Sequence, residues 1–166
     1  RGLGDVYKRQ TVFAANSGTV TGLADENIGL SFTGDADDAW SANGTSITGA
    51  ATSTGGTCGD TSYQSTLTIT NKKSTTATLS FDYTIELNNG TIMVAGTSVT
   101  TKGSFSRELA AGGTIKVYIK SGSTSAATKI TLTNVVLVSK VNATATFVPA
   151  ENGTYTVDGK LITEEY

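Results

Sequence analysis

The chain has no histidine and a single cysteine, Cys58. Without an imidazole, Ser-His-Asp and Cys-His nucleophilic catalysis, histidine general bases and nearly all catalytic zinc sites are excluded. Cys58 lies in the run Thr54-Gly55-Gly56-Thr57-Cys58-Gly59. The glycines suit a loop, but there is no histidine to activate the thiol, and one cysteine forms no internal disulfide. Carboxylates remain. Asp82 and Glu86 fall on one face of one expected strand. Four strand residues separate their backbones by about 13 Å, whereas a glycosidase holds its two carboxyl groups roughly 5–9.5 Å apart. The pair makes no such site by itself, and the sequence reads as non-enzymatic.

Binding chemistry has more to work with. Gly34-Asp35-Ala36-Asp37-Asp38 is a compact acidic loop. Calcium takes several oxygen ligands from such a loop, so Asp35, Asp37 and Asp38 are candidate ligands for a structural Ca²⁺. Asp25-Glu26 and Asp60 add to the set only if the fold brings them close. The spacing does not follow the twelve-residue EF-hand pattern, and a solvated loop is the plainer alternative. Trp40, the only tryptophan, follows two residues later. An exposed indole on a sheet stacks on sugar rings; a buried one closes an end of the core, and the sequence leaves both open. Tyr118 stands between Lys116 and Lys120, in opposite phase to Ile115, Val117 and Ile119. It is either a ligand contact or a strand residue covering its neighbour. Asn43, Asn89 and Asn152 each open an Asn-Gly-Thr triplet, which reads as a turn.

The elements that must hold these residues are strands. Ala77, Leu79, Phe81, Tyr83, Ile85 and Leu87 alternate with Thr78, Ser80, Asp82, Thr84 and Glu86, the pattern of a strand with one buried face. Leu67 and Ile69 alternate with threonines just before it, and Asn71-Lys72-Lys73-Ser74 between the two runs reads as a hairpin turn. Asn88-Asn89-Gly90 and Ala110-Ala111-Gly112-Gly113 are further turns. They bracket short strands at 91–94 and 103–109, and a strand through Ile115, Val117 and Ile119 follows. From Lys129 to Val138 the phase flips: Ile130 and Leu132 share a face, whereas Val135 and Leu137 are out of step, which a bulge near Asn134 explains. Short strands are expected at 11–14, 19–23, 28–33 and 45–50, with loops at 35–43 and 53–60. No segment carries an apolar stripe at helical spacing. Many short strands with Gly/Asn turns indicate an all-β, antiparallel two-sheet β-sandwich, jelly-roll or Ig-like.

Composition agrees. Charged residues make up only 16% of the 166, and Thr, Ser, Gly, Ala and Asn fill the balance. The net charge is −2 and the basic residues are scattered, so nothing gathers the cationic face that nucleic acids require. No run approaches the roughly 20 apolar residues that span a bilayer. Residues 141–166 differ from what precedes them. They hold the only proline, Pro149, and the tight-turn dipeptides Asn152-Gly153 and Asp158-Gly159, with Val157-Asp158-Gly159-Lys160 reading as a hairpin.

The run from Phe147 to Gly159 resembles the opening of the bacterial β-grasp repeats of the internalin B-repeat type. That resemblance covers about 20 residues and implies a truncated tandem-repeat stalk on a bacterial cell-surface or secreted protein. The stretch before it, with 66–71, 77–83 and 103–106, is similar in style to the Ig-like or jelly-roll modules found beside such repeats. Residues 1–10, RGLGDVYKRQ, resemble a translated sequencing-adapter scar and are set aside from the fold. The expected organisation is a sandwich over 11–140 and a partial repeat over 141–166, with the 5′ end of the gene missing. The expected role is a monomeric extracellular module, either a spacer or a binder of a glycan or host or cell-surface ligand. The alternative is a carbohydrate-binding module of a secreted glycoside hydrolase.

Overall fold

The computed structural model describes residues 16–35, 39–53, 63–123, 125–140, 154–157 and 160–163. The described residues contain strands and no helix; those before residue 141 form two open antiparallel sheets. The six-stranded sheet contains β1 (Asn16–Thr19), β2 (Ile28–Gly34), β5 (Tyr63–Asn71), β10 (Thr114–Ser121), β7 (Gly90–Val94) and β8 (Thr97–Ser98), in that spatial order. The five-stranded sheet runs β3 (Trp40–Asn43), β4 (Ser46–Ala51), β11 (Thr128–Ser139), β6 (Ala77–Glu86) and β9 (Gly103–Leu109). Among the described residues no helix is long and apolar enough to cross a membrane.

Period-two alternation builds the core. Leu30, Phe32, Leu67, Ile69, Val117 and Ile119 from one sheet meet Ile47, Leu79, Phe81, Ile130, Leu132 and Val135 from the other, all of them buried. Burying a Leu, Ile, Val or Phe side chain is worth roughly 1.5–3 kcal/mol each, and these residues supply the main favourable term. The outward positions of β5, β6 and β10 are mostly Thr, Ser, Lys, Gln, Asp and Glu, with Tyr118 among them, so these strands are apolar mainly on the core face.

Three sequence expectations need correction. Asn71-Lys72-Lys73-Ser74 is not a hairpin: β5 lies in one sheet and β6 in the other. The 86–90 and 109–114 links also cross from sheet to sheet. From β4 to β11 the only consecutive strands sharing a sheet are β7 and β8, unlike the Ig pattern, in which neighbours in sequence repeatedly share a sheet. Local turn chemistry reverses the chain direction but does not select the sheet that receives the next strand. Second, the expected loop at 35–43 ends in a strand, β3, which pairs with β4 through Trp40↔Gly49 and Asn43↔Ser46. Third, the expected strand at 19–23 is displaced. The strand is β1; Val20 still donates to Leu30 O of β2, and residues 22–24 reach the β3–β4 turn, where Leu23 bridges Gly44. The expected strand at 11–14 lies outside the described residues.

The phase flip in β11 is a bulge. Its register against β6 shifts between Thr133 and Val136, and Asn134 has φ 52°. Asn tolerates this left-handed region better than most side chains. The extra residue keeps Ile130 and Leu132 inward before it and Val135 and Leu137 inward after it. At the C-terminus, Thr154–Val157 pairs with Lys160–Thr163 through Val157↔Lys160 as a two-stranded sheet, matching the expected hairpin.

Candidate functional site

Trp40 is in the core, 5% exposed, so its ring offers no platform to a ligand. The exposed reading of Trp40 is thereby corrected, and the reason is local. Its partner across the ladder is Gly49, and a Cβ there would stand 2.3 Å from the indole Cζ3. The missing side chain leaves the slot that the indole fills. Its Nε1–H donates to Ser65 Oγ of the opposite sheet at 2.9 Å, so the one polar atom of the ring is satisfied.

Asp35 lies at the end of β2. Its Oδ2 accepts the Gln64 N–H at 2.8 Å, and its carbonyl accepts from Asn16 Nδ2. This carboxylate thus begins the β5 ladder. Asp37 and Asp38, the other two expected calcium ligands, lie outside the described residues, as does Cys58. Among the described residues no three His, Cys, Asp or Glu side chains gather where a metal could sit.

Tyr118 is half-buried on the outer face of the six-stranded sheet, opposite Thr66 and Met93. Its hydroxyl donates to Gln64 Oε1 at 2.8 Å. Desolvation pushes its pKa up, and the negative charge of Asp35 pushes the same way. Structure therefore brings Tyr118, Gln64 and Asp35 together, with the phenol lying along the sheet and tied to a neighbouring strand.

The bulge creates a site that sequence reading missed. On the outer face of the five-stranded sheet, Asp82 lies between Thr133 of β11 and Ser104 of β9, while Ser80 lies between Val136 and Ser106. Serines on two strands leave a dip, and Asn134 and Val136 wall it from the third, giving a depression of about 380 Å³. Among the described residues Asp82 is its only charged lining residue. Ser104 Oγ donates to its Oδ1 at 2.7 Å and Asn134 Nδ2 to its Oδ2 at 3.3 Å. These two bonds, the Ser104 bond first, hold the Asp82 carboxyl below the usual carboxylate range. Val136 is 41% exposed, and Val138 two residues on is also exposed. The bulge turns both outward and aims the Asn134 amide at Asp82. Sequence gave one pointer, the phase flip at Asn134. The rest depends on a register among three strands that no single stretch encodes.

No protein-family model matches the sequence, and no curated protein matches it either.

Proposed function

We propose that this chain is a non-catalytic, ligand-binding module of an extracellular bacterial surface protein, and that it binds through the depression at the Asn134 bulge. The carrying observation is the depression itself. The left-handed region is uncommon for non-glycine residues, and Asn enters it more readily than most. Here that residue aims a side-chain amide at a carboxylate and exposes a valine beside it. Bulges re-aim side chains next to sites; this one also keeps β11 in phase with the core, and what points to a ligand is the amide–carboxylate pair and the exposed valine it leaves on the outer face. The missing histidine and the single charged group at the depression support binding over catalysis.

The test is an array of glycans, glycoproteins and matrix proteins probed with the full chain and with Val136→Glu, a change at an exposed position that leaves the core intact. Binding to any feature that Val136→Glu abolishes supports the reading. Silence across the array, or binding indifferent to the substitution, retires this face. The second reading, a carbohydrate-binding module of a secreted glycoside hydrolase, is favoured by the mixture of hydroxyls, an amide and a carboxylate around one apolar side chain. A catalytic domain on the same polypeptide would separate it from the first.

A further inference from the structure

Resting on that reading of the depression, we propose that its ligand is a neutral sugar residue, one pyranose unit held through two adjacent hydroxyls by Asp82. The charge of the lining sets the class. Among the described residues no Lys or Arg lines the depression and the Asp82 carboxylate does, so carboxylates, sulfates and phosphates are repelled. Among the described residues Asp82 is not one of three or more acidic groups positioned to share a metal ion.

Hydrogen-bond capacity narrows it further. An ionised carboxylate only accepts, with about four lone-pair positions on two oxygens. The protein supplies one donor to each oxygen, Ser104 Oγ to Oδ1 and Asn134 Nδ2 to Oδ2. Each oxygen keeps the capacity for one more. Two acceptors about 2.2 Å apart on one rigid plane suit two hydroxyls on neighbouring ring carbons, as a carboxylate suits any forked pair of donors. The protein donors also fix the carboxylate plane before the ligand arrives, which lowers the ordering cost of binding. Ser80 and Ser106, facing each other across the β6–β9 ladder, each donate and accept and so match further ring hydroxyls. Val136 offers an apolar wall to the C–H face of the ring. The space, about 380 Å³, lies at the small end of small-molecule sites and suits one sugar unit.

The competing occupant is an ammonium group, from an amino sugar or a lysine side chain, paired to Asp82 by charge. Amide NMR of the full chain separates the two. The probes are the methyl glycosides of glucose, galactose and mannose, then glucosamine, lysine methyl ester and galacturonate. The expected result is shifts at Ser80, Ser104, Ser106, Val136 and the Asn134 side-chain amide with at least one neutral glycoside. Those shifts should persist in 0.5 M salt, roughly, where an exposed ion pair is screened. Asp82→Asn, at an exposed position, is expected to weaken binding about tenfold or more, because bonds to a charged acceptor are the stronger ones.

Shifts with glucosamine or lysine methyl ester alone, lost in salt, overturn the neutral-sugar inference and leave the ligand face standing. Shifts with galacturonate alone overturn it too, and so does neutral-glycoside binding that Asp82→Asn leaves unchanged. Array binding that depends on Val136, without shifts from any of these sugars, gives a non-sugar ligand. Silence in both experiments removes the binding reading itself.

Discussion

At the scale of single residues, two buried polar side chains hold more of this structure than their sequence context suggested. Asn71, fully buried, donates through Nδ2 to the carbonyls of Thr75 and Leu109, with Ala110 O at 3.2 Å as a third acceptor. Its Oδ1 accepts the Lys73 N–H. One amide therefore ties the β5–β6 corner to the β9–β10 corner. Asn71→Ala leaves the buried Leu109 carbonyl without this donor, at a cost of about 1–3 kcal/mol, and loosens the part-buried contacts to Thr75 and Ala110, so a drop of about 2–3 kcal/mol in denaturant-unfolding stability is expected. Asn71→Asp should cost more, since an acceptor then faces carbonyl oxygens. Trp40 is the other. Trp40→Phe keeps most of the packing but strips Ser65 Oγ of its donor, so it should cost less than the about 3–5 kcal/mol expected for Trp40→Ala. As the only tryptophan, it should emit at short wavelength when folded and shift to the red on unfolding.

Asp82 carries a pH signature at the same scale. Its pKa is lowered in the folded chain, so the folded state binds its proton more weakly than the unfolded state does. The stability this contributes is present above the unfolded value, about pH 4. It is lost as pH falls through the lower folded value. A melting series from neutral to acid pH should show wild type losing stability below about pH 4 faster than Asp82→Asn, the two converging at the acid end. Parallel curves would show that the Ser104 and Asn134 bonds do not persist in solution.

Among the elements, β6, β10 and the bulged β11 were legible because each has one face in the core and one in water, which writes burial into alternation. The edge strand β3 was not. Trp40-Ser41-Ala42-Asn43 is short and polar, and its one large apolar residue finds its slot only through Gly49 on the neighbouring strand. The Asn134 bulge was legible as a break in phase, whereas the depression it shapes was not. Ser80, Asp82, Ser104, Ser106 and Val136 sit on three strands whose pairing had to be known first. The bulge itself is testable by substitution. Asn134→Gly suits φ 52° at no steric cost and should keep or slightly raise the melting temperature. Asn134→Val, β-branched, should lower stability by about 1–2 kcal/mol. Both should disturb the depression, because both remove the amide that holds Asp82. A valine variant as stable as wild type would mean that the backbone there is not left-handed.

For the molecule as a whole, the connectivity constrains how it folds. β11 pairs with β4 and β6, and β10 with β5 and β7, while most links between β4 and β11 carry the chain to the opposite sheet. Little of the core can form from near neighbours in sequence. Closing long loops before contacts reward them is slow, and sandwiches of this kind refold in about milliseconds to seconds. Trp40 reports the event well, since its burial requires Gly49 beneath the ring and Ser65 on the facing sheet. The chain's single proline is Pro149, outside the sandwich strands. No proline isomerisation, which takes about 10–100 s at 25 °C, should therefore appear in the Trp40 signal. Stopped-flow refolding from denaturant should give one dominant sub-minute phase in tryptophan fluorescence, with the same rate after brief or prolonged unfolding. A slow phase that grows with time spent unfolded would show that folding around Trp40 waits on Pro149, and that the C-terminal segment is coupled to the sandwich core.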